Sequence, residues 1–309
     1  MIFQYNITVI IVLFCILNLL IISNYYYEFT IYGQTQDLKN NDNNISKVQV
    51  GDINIAYKKF GKGEPIVLIN GYSESMKFWD PEFLDKLSAN HTVIVFDNRG
   101  IGNTDPGTKK HFTINQFAQD TLGLLRTLNI PKLDILGYSM GGMIAQELTL
   151  NSSNKVDDLI LYATSCGGKN STLADPSIFK QLQNKTGSDE DKKKRWIPLQ
   201  LTDRWIQQNP DYMKKFEFVK YPSNKTLELQ DAAISAWFER GICGQLSNIS
   251  QDTLVITGAD DRILPPKNSQ LLADLIPKAS LKTIDDGGHK LMFQYPKEFS
   301  SEIIKFLEK

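Results

Sequence analysis

The chain opens on a nearly unbroken apolar run, Ile7 to Ile22 (ITVIIVLFCILNLLII), followed by Tyr25, Tyr26 and Tyr27. As a helix, these residues span roughly 24 Å, short of a hydrocarbon core of about 30 Å; the tyrosines extend the segment enough to cross. No Lys or Arg precedes Lys39, and the downstream flank carries only Glu28 and Asp37. A flank without positive charge suits the outer side of a membrane. The pattern predicts an export signal over residues 1–33, cleaved or kept as an anchor, with a membrane tether through residues 7–27. It implies an exported, secreted or membrane-anchored protein whose main domain lies outside the cytoplasm. Residues 34–47 (QTQDLKNNDNNISK) read as a polar linker.

Beyond Lys47 the pattern changes to short apolar runs separated by amphipathic stretches. Val48–Val50 and Ile53–Phe60 alternate in period two and predict a starting hairpin. Pro65–Asn70, Thr92–Phe96, Leu133–Gly137, Leu159–Ala163 and Thr253–Thr257 are continuous apolar runs, with Leu281–Ile284 a weaker one. Such runs suit strands buried on both faces of a parallel sheet. Helices are expected over Met76–Ala89, Ile114–Leu128, Met140–Leu150, Pro266–Ile276 and Pro296–Leu307. In the second, Phe117, Thr121, Leu124, Leu125 and Leu128 share one stripe. The alternation predicts an α/β fold with a doubly wound, mostly parallel sheet. Residues 165–245 break the rhythm: they hold no strand-like run and contain the helical pieces KKKRWIPLQL, DRWIQQ and AISAWFER. They are expected to form a helical cap over the carboxyl edge of the sheet, inserted between core segments 48–164 and 246–309.

Composition narrows the function. Among 309 residues, 34 Lys plus Arg oppose 35 Asp plus Glu, a balance unlike that of a basic nucleic-acid binder. Three cysteines lack metal-knuckle spacing, and no cluster suggests a metal or other cofactor. Gly100-x-Gly102 lacks the third glycine and the lysine of a phosphate loop, so Arg99 reads as a loop brace. Three histidines leave three candidates for any imidazole chemistry.

The sharpest motif is Gly137-Tyr138-Ser139-Met140-Gly141, between the strand LDILG and the helix MGGMIAQELTL. It fits G-x-S-x-G in the strand–turn–helix context of a nucleophile elbow. The turn would hold the Ser139 hydroxyl above the sheet, with the helix's first N–H groups aimed at the same place. A serine hydroxyl needs a base. His91 precedes its strand, and His111 sits in the loop KKHF. His289 follows the candidate strand LKTID on a Gly-Gly turn and returns to the carboxyl edge. An anion must then orient the imidazole, and Asp260 and Asp261 both end strand TLVIT.

From Val48 onward the chain resembles the α/β-hydrolase superfamily. The resemblance rests on the elbow, on Asn70-Gly71-Tyr72 where that family has His-Gly, and on Asp97-Asn98-Arg99-Gly100-Ile101-Gly102-Asn103-Thr104. It rests further on the acid loop Thr257 to Pro265 and on Gly287-Gly288-His289. It implies the order Ser139, Asp261, His289, with Asp260 the alternative acid, and an oxyanion hole from the backbone N–H groups of Tyr72 and Met140. Asn70 is expected to brace its loop. It implies a serine hydrolase that cleaves small-molecule esters or lactones of small to medium apolar acids, without cofactor or metal. Peracid or carbon–carbon chemistry with the same three residues, and a non-catalytic ligand-binding protein, are the alternatives. Phe78, Trp79, Trp196, Trp205, Trp237 and Phe238 are candidates for an apolar acyl pocket, or for ordinary core.

Two further features bear on export. Asn-X-Ser/Thr occurs at Asn6, Asn44, Asn90, Asn151, Asn170, Asn184, Asn224 and Asn248, which fits glycosylation of an exported chain. Cys166 and Cys243 stand near the two roots of the insertion, placed to pair in an exported protein or to remain as two small buried thiols.

Overall fold

The computed structural model describes residues 44–212 and 222–309. Eight strands form one sheet: β1 (Ser46–Val50), β2 (Ile53–Gly61), β3 (Glu64–Ile69), β4 (His91–Phe96), β5 (Leu133–Tyr138), β6 (Val156–Tyr162), β7 (Asp252–Gly258) and β8 (Ala279–Ile284). Their spatial order is β1-β2-β4-β3-β5-β6-β7-β8. β1 pairs antiparallel with β2, and β2 with β4; every other pairing is parallel. The chain runs from β3 to β4 on one side and then crosses to β5 on the other. Ligands of doubly wound sheets bind at the carboxyl ends of strands flanking such a reversal.

Alternation along the buried strands divides the core. In β3, Val67 and Ile69 join one apolar cluster while Ile66 and Leu68 join the other. The first cluster is completed by α2 (Ile114–Thr127), α3 (Met140–Asn151) and α8 (Lys267–Leu275). The second is completed by α1 (Pro81–Ser88) and α9 (Pro296–Leu307), through Phe83, Leu84 and Leu87 and through Phe299 and Ile303. Each fully buried Leu, Ile or Phe contributes roughly 1.5–3 kcal/mol, so both faces hold the sheet rigid beneath its carboxyl edge.

The helix expected over Met76–Ala89 is two pieces. A 3-10 turn covers Met76–Phe78, and α1 starts at Pro81. Asp80 precedes a proline, which favours extended backbone; it sits at φ −60, ψ 129 and caps α1 by accepting from the Phe83 N–H. Between β6 and β7 the described residues form α4 (Pro176–Gln183), α5 (Asp189–Gln200), α6 (Asp203–Gln208) and α7 (Asn224–Arg240). A disulfide joins Cys166 to Cys243, with Cα atoms 5.1 Å apart across a sequence separation of 77.

The expected signal, tether and most of the linker fall outside the described residues. Among the described residues, no helix is long and apolar enough to cross a membrane.

Candidate active site

The turn from β5 into α3 places Ser139 at φ 53, ψ −116, a conformation costly for a residue with a side chain. The surroundings enforce it. A Cβ on Gly137 would lie 2.4 Å from the Gly141 carbonyl oxygen, and one on Gly141 would lie 2.0 Å from that of Ile69. Only glycines let the strand end, the helix start and the end of β3 approach this closely. The Ser139 N–H donates to Tyr162 O at 2.9 Å, and the Thr164 hydroxyl donates to Ser139 O at 2.7 Å. The half-buried Ser139 side chain is thereby held over the sheet.

His289 lies on the loop after β8 and is 3% exposed. Its Nε2 is 3.0 Å from Ser139 Oγ, and its Nδ1 is 2.7 Å from Asp261 Oδ2. Asp261 follows β7 and is equally buried; its Oδ1 accepts from the N–H groups of Ile263 and Leu264, both at 2.9 Å. With both carboxylate oxygens occupied, Asp261 presents an acceptor to the imidazole, so Nδ1 carries the proton and the Nε2 lone pair faces the hydroxyl. Asp260, the alternative acid, is exposed. Neither His91, at the start of β4, nor the exposed His111 joins this group.

The loop after β3 closes the other side. A Cβ on Gly71 would come 3.2 Å from Ser139 Cβ, so the loop at Gly71 lies against the elbow, with Tyr72 next in sequence. The Met140 N–H is the first of α3 and has no acceptor within the helix. Asn70 is fully buried; its Nδ2 donates to Phe96 O at 3.1 Å, while Asn98 Nδ2 donates to Asn70 O at 3.2 Å. It ties the ends of β3 and β4 together. Arg99 is buried in a bidentate pair with Asp120, both bonds 2.8 Å, and lies 2.9 Å from Asp52. Its guanidinium is consumed in holding the loop after β4.

Several contributors had no sequence signal. Gln230, on α7, is fully buried, and its Oε1 accepts from the Ser73 N–H at 2.9 Å. The Tyr162 hydroxyl donates to the His289 carbonyl at 2.9 Å and accepts from the Met292 N–H at 3.2 Å. Lys290 pairs with Glu74 at 2.8 Å. Of the candidate pocket aromatics, Phe78 stacks on Tyr138, with ring centroids 4.7 Å apart, and Tyr138 lies 5.1 Å from the imidazole ring. Trp237 donates to Ser165 O at 3.2 Å and Trp196 to Gln181 O at 3.0 Å; Trp79 and Trp205 are also buried. Burial pushes the Tyr138 and Tyr162 hydroxyls well above the ordinary phenol range, so both stay neutral beside the imidazole.

The fold and this cluster define a class, and comparison with known proteins agrees: the profile of the alpha/beta hydrolase fold matches residues 64–296, and the chain belongs to that family. It is an enzyme. BpoC of Mycobacterium tuberculosis, named for non-heme bromoperoxidase activity, is 30% identical over 277 residues, covering 82% of this chain and 97% of BpoC. RutD of Agrobacterium fabrum, named for carbamate hydrolysis, is 26% identical over 251 residues, covering 78% and 92%. Among solved structures, Est816, described as an N-acyl homoserine lactone degrading enzyme, has a TM-score of 0.71 and 27% identity, covering 84% of this chain and all of Est816.

These relatives correct one expectation. The family match runs over residues 64–296, outside the amino-terminal run, and 97% of BpoC is matched by 82% of this chain. Neither the relatives nor any described helix supports a signal peptide, a membrane tether or glycosylation. The expectation of an exported, secreted or membrane-anchored protein is withdrawn.

Proposed function

We propose that the protein is a serine hydrolase that cleaves carboxylic esters or lactones of small to medium apolar acids through an acyl-enzyme. Ser139 Oγ attacks the carbonyl carbon while His289 Nε2 takes its proton. Asp261 holds the imidazole in the required tautomer and stabilises the imidazolium. The N–H groups of Tyr72 and Met140 hold the oxyanion; losing one such donor typically costs about 100- to 1000-fold in rate. His289 returns the proton to the leaving alkoxide. It then takes one from water, which attacks the acyl-enzyme and releases the acid and Ser139.

The observation that carries this reading is the continuous line from Ser139 Oγ through His289 to Asp261, at 3.0 and 2.7 Å. The lactone-degrading description of Est816 adds support for the substrate class. Ser139→Ala should abolish hydrolysis of a nitrophenyl butanoate ester with the fold intact; unchanged turnover refutes the assignment. The name of BpoC favours a second reading, in which hydrogen peroxide replaces water and the acyl-enzyme yields a peracid. Measuring peracid and acid release from one ester, with and without peroxide, separates the two.

A further inference from the structure

Asp261 and His289 stand on adjoining loops: the Asp260 N–H donates to the Gly287 carbonyl at 2.9 Å. A segment of the insertion grips both loops. The last carbonyls of a helix have no partner within it, and those at the end of α5 find theirs here. Arg262, next after Asp261, donates through Nη2 to Pro198 O and to Leu201 O, each at 2.8 Å. The backbone N–H of Lys290, next after His289, donates to Gln200 O at 2.9 Å. A Cβ on Gly288, just before His289, would lie 2.6 Å from the same Gln200 oxygen, so the helix end presses on the histidine loop.

Gln294 closes the junction. It is buried on the short helix Leu291–Gln294 that follows His289. Its Oε1 accepts from the Gly288 N–H at 2.6 Å, and its Nε2 donates to Thr202 Oγ1 and to Asp286 O, both at 3.2 Å. Residues 198–202 are thus bonded to the immediate neighbours of Asp261 and of His289. The Arg262 side chain is 35% exposed and also meets Asp203 at 3.1 Å. Water can replace its guanidinium at the two carbonyls, but water cannot tie them to the acid loop.

We propose that Arg262 and Gln294 are positioning residues: through residues 198–202 of the insertion they set the acid loop and the histidine loop so that the imidazole meets both the serine and the leaving group. This rests on His289 being the proton carrier of the reaction proposed above. In acylation His289 acts twice, taking the Ser139 proton and giving it to the departing oxygen. A displacement of about 1 Å can cost on the order of 100-fold in rate. A nitrophenolate departs without a proton, whereas an ethoxide needs one. A displaced imidazole therefore penalises a nitrophenyl ester once and an ethyl ester twice.

The test is kcat/KM for nitrophenyl butanoate and for ethyl butanoate in the wild type, Arg262→Met, Gln294→Met and Arg240→Met. The two esters share an acyl group, so their ratio reports the leaving group. Arg262→Met should lose about tenfold on the nitrophenyl ester and about 100-fold on the ethyl ester. Gln294→Met should widen the ratio in the same sense. Arg240 pairs with Glu147 at 2.7 Å and ties the insertion to α3, away from both loops; Arg240→Met should leave the ratio unchanged. A merely structural role lowers both esters alike, so an unchanged ratio in Arg262→Met overturns the proposal. Where that variant does not fold, Gln294→Met decides by the same ratio. A ratio widened equally in Arg240→Met also overturns it, because any tie of the insertion would then serve. Fluorophosphonate labelling of Ser139 separates the failures: an unchanged ratio in labelled enzymes ends only this proposal, whereas an unlabelled Ser139 in the wild type ends the reading beneath it.

Discussion

Gln230 reaches from α7 to the backbone of Ser73, accepting its N–H at 2.9 Å across 157 residues of sequence. Ser73 adopts φ 63, and Tyr72, whose N–H we assign to the oxyanion, immediately precedes it. The hydrogen bond fixes which end of the carboxamide is oxygen, because only an acceptor can face an amide N–H. A helix of the insertion thus holds the loop that completes the site. Gln230→Ala should lower kcat about tenfold while KM changes little, since an unmade hydrogen bond leaves a strained loop without its tie. Steady-state kinetics on nitrophenyl butanoate, with circular dichroism to check folding, decides it; unchanged kcat would remove Gln230 from the machinery.

The two neighbouring acids should differ sharply. Asp261 is buried with all its oxygens engaged, whereas Asp260 is exposed. Asp261→Asn should lower kcat by about 10³- to 10⁴-fold, because the amide can donate to Nδ1 and select the wrong tautomer. Asp260→Asn should stay within about twofold of the wild type. Parallel kcat measurements test the pair, and the reverse ranking would reassign the acid.

Burial raises Asp134 to about 6, with its Oδ1 accepting the Asp158 N–H at 3.0 Å. In the unfolded chain such a carboxyl releases its proton near 4. Between those values the folded state binds more protons, so stability falls as pH rises through about 4 to 6 and levels off above. Asp134→Asn keeps the acceptor and removes the buried charge. It should be about 1 kcal/mol more stable than the wild type at pH 7, with the gain vanishing near pH 4. Urea unfolding at both pH values measures this.

The Cys166–Cys243 disulfide encloses the insertion, with a sequence separation of 77. The loop-entropy account assigns roughly 4–5 kcal/mol to a closure of that length. Thiol titration of the unfolded, unreduced protein should find neither cysteine reactive. Cys243→Ser should lower the midpoint of chemical unfolding, a loss that reductant should reproduce in the wild type.

The elbow was legible because its requirements are local: Gly137, Ser139 and Gly141 lie within five residues, between a strand and a helix that declare themselves by periodicity. The core strands were legible for the same reason. The break at Asp80-Pro81 had a signal, an N-cap residue before a proline, outweighed by the apolar spacing of Phe83, Leu84 and Leu87. Helix α4 also begins at an Asp-Pro pair, but its apolar set is only Ile178, Phe179 and Leu182, none of them fully buried, too short a stripe to stand out within the polar insertion. Gln230, Tyr162 and the Glu74–Lys290 pair could not be read. Their partners lie 157, 127 and 216 residues away, and nothing local says which loop a glutamine on a remote helix will face. The apolar amino-terminal run carried a strong hydropathy signal, but hydropathy describes a segment and does not by itself assign a destination.

The 5.1 Å between the Cα atoms of Cys166 and Cys243 means that the segment they bracket departs and returns almost at one point. The sheet would register little difference if that segment were exchanged for another whose ends lie equally close. A graft at this neck would still have to offer an acceptor to the Ser73 N–H, as Gln230 does, so whatever replaces the segment inherits a duty toward reactivity along with its freedom to vary.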